Sequence, residues 1–303
     1  MICGGSGSSK LVTALSKNLP PDYSASFIAN VADNFWHNGL YICPDVDIVT
    51  YALAGNLDRS KGWGVAGDSV GQRDSLSKVT GLNEWFALGD ADSALSTWRT
   101  NLLKIGWSLS SVTRRVCENL DINYPIIPAT DDHVQTFVST REGSVHLQEH
   151  WVKNRGNASP KHVDRVGIRT ARANAEAIDS CRVNAIICPA NPITSILPTV
   201  ELSGIERSLS RAKNVIAISP FIGASAFSGP AASLMRAEGL EPSSIGVARL
   251  YSKFLKIILV DKAEEPMNLA RISDLGIECI RTNIRINTEA QKSEITKELL
   301  SLI

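Results

Sequence analysis

The chain has 303 residues, 44% hydrophobic and 20% charged, and its 31 Lys and Arg balance its 31 Asp and Glu. That balance excludes a global field drawing the protein to nucleic acid or to an anionic membrane. No apolar run approaches the roughly 18–20 residues needed to span a bilayer, and the length suits one large domain or two modest ones.

Only Met1 and Ile2 precede the glycine-rich segment Cys3-Gly4-Gly5. A first strand normally takes about five residues. This one is therefore very short, or the native start lies upstream of this Met. Residues 10–18 read as a helix stopped by Pro20-Pro21, 26–31 as a strand, and 45–54 as a helix behind Pro44. Residues 59–120 change character, with Trp63, Trp85, Trp98 and Trp107 and few strand-like runs. Apolar spacing of three and four residues predicts helices over 93–105 and 109–120, so 59–121 reads as a small helical insertion domain. The strand–helix alternation resumes at 124–127. Residues 134–140 and 144–151 read as a hairpin turning at Arg141-Glu142-Gly143, and 163–168 as a further strand. Helix 171–180, strand 184–188, helix 205–212, strand 215–219 and helix 231–238 follow. Strand 257–260, helix 266–275, strand 277–280 and helix 288–299 close the chain. Alternating strands and helices imply right-handed crossovers. The predicted fold is α/β: a Rossmann-like, mostly parallel sheet flanked by helices, with residues 1–58 and 122–303 as its core.

Cys3, Cys43, Cys117, Cys181, Cys188 and Cys279 are scattered, and none forms C-x-x-C. A disulfide scaffold is not indicated. They read as reduced, mostly buried thiols in a cytoplasmic protein, and no charged-then-apolar leader opens the chain. His37, His133, His146, His150 and His162 lack metal spacing. His146 and His150 are four apart, but on a strand they would not meet as a helical pair does.

Five loops follow apolar runs: Gly4-Gly5-Ser6-Gly7-Ser8-Ser9-Lys10, residues 30–34, residues 128–132, Pro189-Ala190-Asn191-Pro192-Ile193-Thr194-Ser195, and Ser219-Pro220-Phe221-Ile222-Gly223. In a parallel sheet such loops converge on one rim, where ligands bind. The glycines of the first loop let backbone N–H groups approach an anion at a helix N-terminus, and Lys10 adds a point charge. A ligand-free tight turn is the bland reading. Lys10 stands where the dinucleotide fingerprint needs a third glycine, and G-x-x-x-x-G-K-[ST] is absent. The 189–195 loop is stiffened by two prolines and offers Asn191, Thr194 and Ser195 to a base, sugar or phosphate; Thr194 or Ser195 could equally cap a short helix. The loop from Ser219 to Gly223 is a second candidate phosphate seat. Acids gather at Asp33, Asp45, Asp47, Asp90, Asp92, Asp131 and Asp132. Beside phosphates such groups hold Mg²⁺ or take a proton from an attacking hydroxyl, unless they are helix caps. Asp33 and Asp47 are the favoured functional pair. Trp63 and Trp85 are core aromatics or line a pocket for a planar ring.

Taken in order, GGSGSSKL at 4–11, NVADNFWHNGLYICPDVD at 30–47, GWGVAGDS at 62–69, WFALGDAD at 85–92, PATDDHVQT at 128–136, CPANPITSI at 188–196 and AISPFIGASAFSGPA at 217–231 resemble the 2-phospho-L-lactate transferase family of coenzyme F420 biosynthesis. The resemblance implies a Rossmann-like core with a small helical domain. It implies transfer of a phospho-acid (2-phospholactyl, enolpyruvyl-phosphate or 3-phosphoglyceryl) from a guanosine diphosphate donor to the ribityl hydroxyl of the deazaflavin Fo, releasing GMP. Mg²⁺ is the implied ion and a homodimer the implied assembly. On this reading Gly5, Gly7 and Lys10 cradle phosphate. Asn191, Pro192, Thr194, Ser195, Ser219 and Gly223 hold the nucleotide. Asp33 binds Mg²⁺ or orients the hydroxyl. Asp47 contacts Fo in the P-D-x-D motif, with Asp45, Asp90, Trp63 and Trp85 beside it.

The chain departs from the family pattern in two places. Asp33-Asn34 stands where two adjacent acids are usual, and Ala91 where the family often has a basic residue; the histidine that often follows is replaced within Ser93-Ala94-Leu95-Ser96. Two other readings stay open. One is a nucleotide-sugar-binding regulatory protein of the same superfamily, without transferase activity. The other is a nicotinamide oxidoreductase, which Lys10 disfavours.

Overall fold

A computed structural model describes the whole chain except residues 82–84, 87, 223–224 and 227–229. Gly223 therefore lies outside the described residues. Seven strands form the central sheet: β1 (Ile2–Cys3), β2 (Phe27–Ala29), β3 (Ile126–Pro128), β4 (Asn184–Ile187), β5 (Asn214–Ile218), β6 (Ile257–Asp261) and β7 (Glu278–Thr282). Their spatial order is β7-β6-β5-β4-β1-β2-β3, and every neighbouring pair runs parallel. The order reverses between β1 and β4. At that switch point the connections leave toward opposite faces of the sheet, and ligands bind in the crevice beyond the carboxyl ends of the two strands.

β1 is only two residues long, yet it is an interior strand of the sheet. Ile2 pairs with Ile28 on one side and Ile187 on the other. The terminal ammonium donates to the Ser26 carbonyl at 2.6 Å, and Asn30 and Cys188 add backbone bonds to the strand. Ladder bonds on both edges replace the length the strand lacks. Alternation along the strands then divides the core in two. Ile2, Ile28, Ile187, Ala217, Ile258 and Val260 face one buried cluster. Cys3, Phe27, Ala29, Ile216, Ile218 and Leu259 face the other. Each buried Ile or Leu contributes about 1.5–3 kcal/mol, so both faces of the sheet are held by helices, as the near-continuous apolar strands require.

Helix α1 covers Gly5–Asn18 and α2 covers Pro44–Ala54. Three more helices, α3 (Gly71–Thr80), α4 (Asp90–Lys104) and α5 (Leu109–Asn119), occupy the stretch read as helical. α5 packs back on β3, with Leu109 and Cys117 in the same cluster as Ile126. All six cysteines are free, five of them buried. Among the described residues no helix is long and apolar enough to cross a membrane.

Four local readings change. α1 begins at Gly5, not Lys10, because the glycine run is itself the first helical turn. Ser8 Oγ accepts from Gly4 N–H and donates to Gly4 carbonyl. The stretch 144–151 is a strand only to His146; a π-helical turn over Glu149–Lys153 follows and buries His150. A hairpin of Phe35–His37 and Leu40–Ile42 had not been read. Its turn is Asn38-Gly39 with φ of +49° and +76°, the strongest short-range hairpin signal a sequence carries. α3 and a helix over Ser244–Leu250 were also unread.

Candidate active site

The loop after β1 and the loop after β4 pack directly on one another. A Cβ placed on Gly4 would sit 2.7 Å from Asp45 Oδ2 and 2.8 Å from the Ser195 carbonyl, and one on Gly7 would collide with the Pro189 carbonyl. These two glycines are glycine because protein backbone lies against them. The bland reading is right for their side-chain faces, while the N-terminus of α1 stays at the crevice.

Asn30 ties three loops together. Its Nδ2 donates to Asp45 Oδ2 at 2.8 Å and to the Thr194 carbonyl at 3.1 Å, and its Oδ1 accepts from Ala32 N–H. In the 189–195 loop, Asn191 Oδ1 accepts from Ile193 N–H at 3.0 Å and caps a π-helical turn over Pro192–Ile196. The cap is Asn191, not Thr194 or Ser195.

These loops enclose a cavity of about 570 Å³. One wall is apolar, with Ile42, Ile48, Leu88, Leu147, Trp63 and Trp151. The other holds Asp33, Asp45, Asp47 and Asp92, with Asn191, Thr194 and Ser195 beside the glycine turn. Gly5 and Gly7 line it as well. Long-range folding has thus brought together ten of the anticipated residues.

The acids differ in their surroundings. Asp33 and Asp45 are buried neighbours. Burial, with Asp45 adding negative charge, holds Asp33 well above the usual carboxylate range, while the Asn30 and Thr136 side chains pull the other way. Burial pushes Asp45 up to about 6, with the Asn30 amide pulling the other way. Asp33 Oδ1 is buried with no hydrogen-bond partner. An orphaned oxygen next to a second carboxylate fits a cation, which would relieve both the desolvation and the repulsion. Asp47 is different. It is ion-paired to Arg99 of α4, whose Nη1 donates to Oδ2 at 3.1 Å while Nη2 donates to Oδ1. Arg99 is 2% exposed and also donates to the Tyr41 carbonyl. Burial raises Asp47 and the guanidinium opposes it. Burial, with the nearby Asp47 and Asp68 charges, pushes Asp92 up to about 6.

His146 lies behind this wall, stacked on Phe35 at 5.2 Å. Its Nδ1 accepts from Gln148 N–H at 3.2 Å. Burial lowers its pKa to about 4, so the ring is neutral with its proton on Nε2.

A second cavity of about 380 Å³ lies across the glycine turn and shares Ser6 and Gly7 with the first. It is lined by four cations: Lys10, Arg59, Lys61 and Arg285. Lys10 Nζ donates to Asn287 Oδ1 at 2.7 Å. The anticipated phosphate lysine therefore serves this cavity and not the acid-lined one.

The other anticipated residues lie elsewhere. Asp90 caps α3, accepting from Ser69 Oγ, from Gly71 N–H at 3.1 Å and from Gln72 N–H at 2.8 Å. Ser69 and those amides lower its pKa. Ser219 is fully buried in a hydrogen-bond chain with Ser244 and Glu264. Pro192 is buried inside the π-turn. Trp85 packs on Phe35 and His37, behind Phe86, which does line the cavity. Asp131 and Asp132 bind the N–H groups of Ser110 and Arg172. Turn and cap chemistry accounts for all of these acids outside the cavity. Asn30, Tyr51 and Trp151 were not singled out. Only Asn30, inside the 30–34 loop, had a positional signal, since contacts between distant segments leave none.

The family model described as 2-phospho-L-lactate transferase CofD matches residues 1–297. A 2-phospho-L-lactate transferase of Methanosarcina mazei is 35% identical over 302 residues, 99% of this chain and 97% of that protein. One from Methanospirillum hungatei is 38% identical over 87% of this chain and 88% of that protein, and one from Halobacterium salinarum 31% over 98% and 95%. Among solved structures, a UPF0052-family protein of Bacillus halodurans superposes with a TM-score of 0.66 over 99% of this chain and 97% of that one, at 14% identity. That likeness concerns the fold. The full-length match to the family and the identity to its members show that this chain belongs to the 2-phospho-L-lactate transferase CofD family.

Proposed function

We propose that the protein transfers a three-carbon phospho-acid from a guanosine diphosphate donor to the ribityl hydroxyl of the deazaflavin Fo. The hydroxyl oxygen forms a bond to the phosphorus carrying the acid. The bond from that phosphorus to the bridging oxygen breaks, and GMP leaves. The product is the phosphodiester F420-0 or a relative. One observation carries the reading: an apolar, acid-lined cavity and a cation-lined cavity meet at a single glycine turn. A flat tricycle suits the first, against Trp63, Ile42, Ile48 and Leu88. A diphosphate suits the second, against Lys10, Arg59, Lys61 and Arg285.

The protein's part in such a transfer is positioning and charge neutralisation. Ser6 and Gly7, in the first turn of α1, line the junction, where a helix N-terminus would favour developing phosphate charge. Asp45, fixed by Asn30, would take the hydroxyl proton. Asp33, whose Oδ1 has no hydrogen-bond partner, would hold Mg²⁺, which supplies positive charge to phosphate oxygens when bound. Among the described residues no three His, Cys, Asp or Glu side chains form a cage; Mg²⁺ commonly takes one or two carboxylates and fills its shell with water and phosphate. Asp47, neutralised by Arg99, positions the acid wall and does not itself move protons. A homodimer in the cytoplasm completes the proposal, on the family resemblance and on the six free thiols.

The test is incubation with Fo, Mg²⁺ and each of the three guanylylated acids, with product mass as the readout. One donor should yield a phosphodiester and GMP in equal amounts. No phosphodiester with any donor overturns the proposal. Tight nucleotide-sugar binding with no affinity for Fo would put the regulatory reading in its place.

A further inference from the structure

The chain between Asp58 and Gly64 crosses from one cavity to the other. Arg59, Lys61 and Gly62 line the cation-lined cavity, while the next two residues, Trp63 and Gly64, line the acid-lined one. The crossing is one compact turn. Leu57, buried, pairs with Val65 at its base. Asp58 N–H donates to Gly64 carbonyl at 2.9 Å, and Gly62 N–H donates to Asp58 carbonyl at 2.8 Å. The Asp58 carboxylate accepts from Ser60 N–H at 3.0 Å and lies 3.1 Å from Lys61 Nζ. That ammonium also lies 5.4 Å from the centroid of the Trp63 ring. The turn sits on the glycine loop, since a Cβ on Gly62 would meet Ser6 Cβ at 3.6 Å.

The two faces of this turn answer to different ligands. Lys61 is half-exposed and shared between Asp58 and the Trp63 ring. Trp63 is 43% exposed, so its indole has free surface for a second planar group. A polyanion in the cation-lined cavity would draw in Arg59 and Lys61 and hold the turn. Because the turn is cross-bonded through Asp58, holding one end orders the other. The ordering cost, met once, is then not met again by the second ligand.

We propose that this turn couples the two substrates: a diphosphate on Arg59 and Lys61 fixes Trp63 for stacking on the acceptor ring, and Lys61 is the positioning residue that joins them. The inference rests on the assignment of the two cavities given under Proposed function. Reciprocity is required, so the acceptor must tighten the diphosphate by the same factor.

The experiment is calorimetric titration of the full chain with Fo, with and without saturating GDP, and with GDP, with and without Fo. A cation–π contact at a half-exposed site corresponds to about a two- to fivefold change in affinity. The native chain should show that tightening in both directions. Lys61→Met should still bind each ligand, GDP more weakly, and lose the coupling; Lys61→Arg should restore it. Independent binding of both ligands to the native chain, or coupling retained in Lys61→Met, overturns the inference and leaves the cavity assignments standing. Failure of Fo to bind the native chain in any condition overturns the cavity assignment itself, and the coupling with it.

Discussion

The two cavities on either side of the glycine turn share Ser6 and Gly7 and little else. One is lined by aliphatic and aromatic carbon, four carboxylates and Arg155; the other is lined by four basic side chains. Opposite charge placed back to back sorts ligands before any specific contact forms. A neutral ring that stacks is welcome in the first and gains nothing in the second. A diphosphate is attracted to the second and repelled by the acids of the first unless a cation intervenes. The contrast also explains why near-zero net charge said so little about the site: the balance is global, and the separation is local.

The largest expected effect is at the base of the acid-lined cavity. Asp33→Asn removes the buried negative charge that would hold the cation. Loss of the cation's charge stabilisation, several kcal/mol, should lower turnover by about 10²–10⁴, with GDP binding retained in the cation-lined cavity. Loss of GDP binding in parallel would mean that the two sites are not separate.

Next comes the buried ion pair. Arg99→Met leaves Asp47 charged and unpaired, and should cost about 3–5 kcal/mol in urea unfolding. The double variant Asp47→Leu, Arg99→Met should recover much of that. A single variant as stable as the native chain would remove Arg99 from the acid wall.

A pH scan of apo-protein stability tests the acids directly. Asp45 titrates at about 6 in the fold against an ordinary 3.8. A raised carboxyl binds its proton more tightly when folded, so stability falls as pH rises from about 4 to 6 and stays low above. Two pH units correspond to about 3 kcal/mol. Asp45→Asn should reduce that slope, leaving the part contributed by Asp33 and Asp92, and Mg²⁺ added at pH 8 should offset part of the cost. A native slope unchanged by the substitution would refute the burial argument.

The smallest effect is reserved for a residue anticipated in the site and found outside it. Asp90→Ala should lower the melting temperature slightly through loss of the α3 cap and leave Fo affinity as it was. A large loss of Fo affinity would return Asp90 to the acceptor site.

Much of the fold was legible because strand–helix alternation is a local pattern with a known global solution. The glycine turn and the 189–195 loop could be matched in advance, since each follows a strand and strand ends share a rim. The Asn38-Gly39 hairpin was equally readable and was passed over.

Residue types and their order along the chain were enough to specify a parallel α/β sheet and the loops at its rim, because hydrogen-bonding periodicity and turn chemistry act over a few residues. Which acids face a ligand was decided only in three dimensions. Asp47 finds Arg99 across 52 positions, Asp90 turns away to a helix end, and Lys10 serves the neighbouring cavity. A carboxylate's role is set by what surrounds it after folding, and those surroundings come from segments whose distance along the chain carries no trace of their contact.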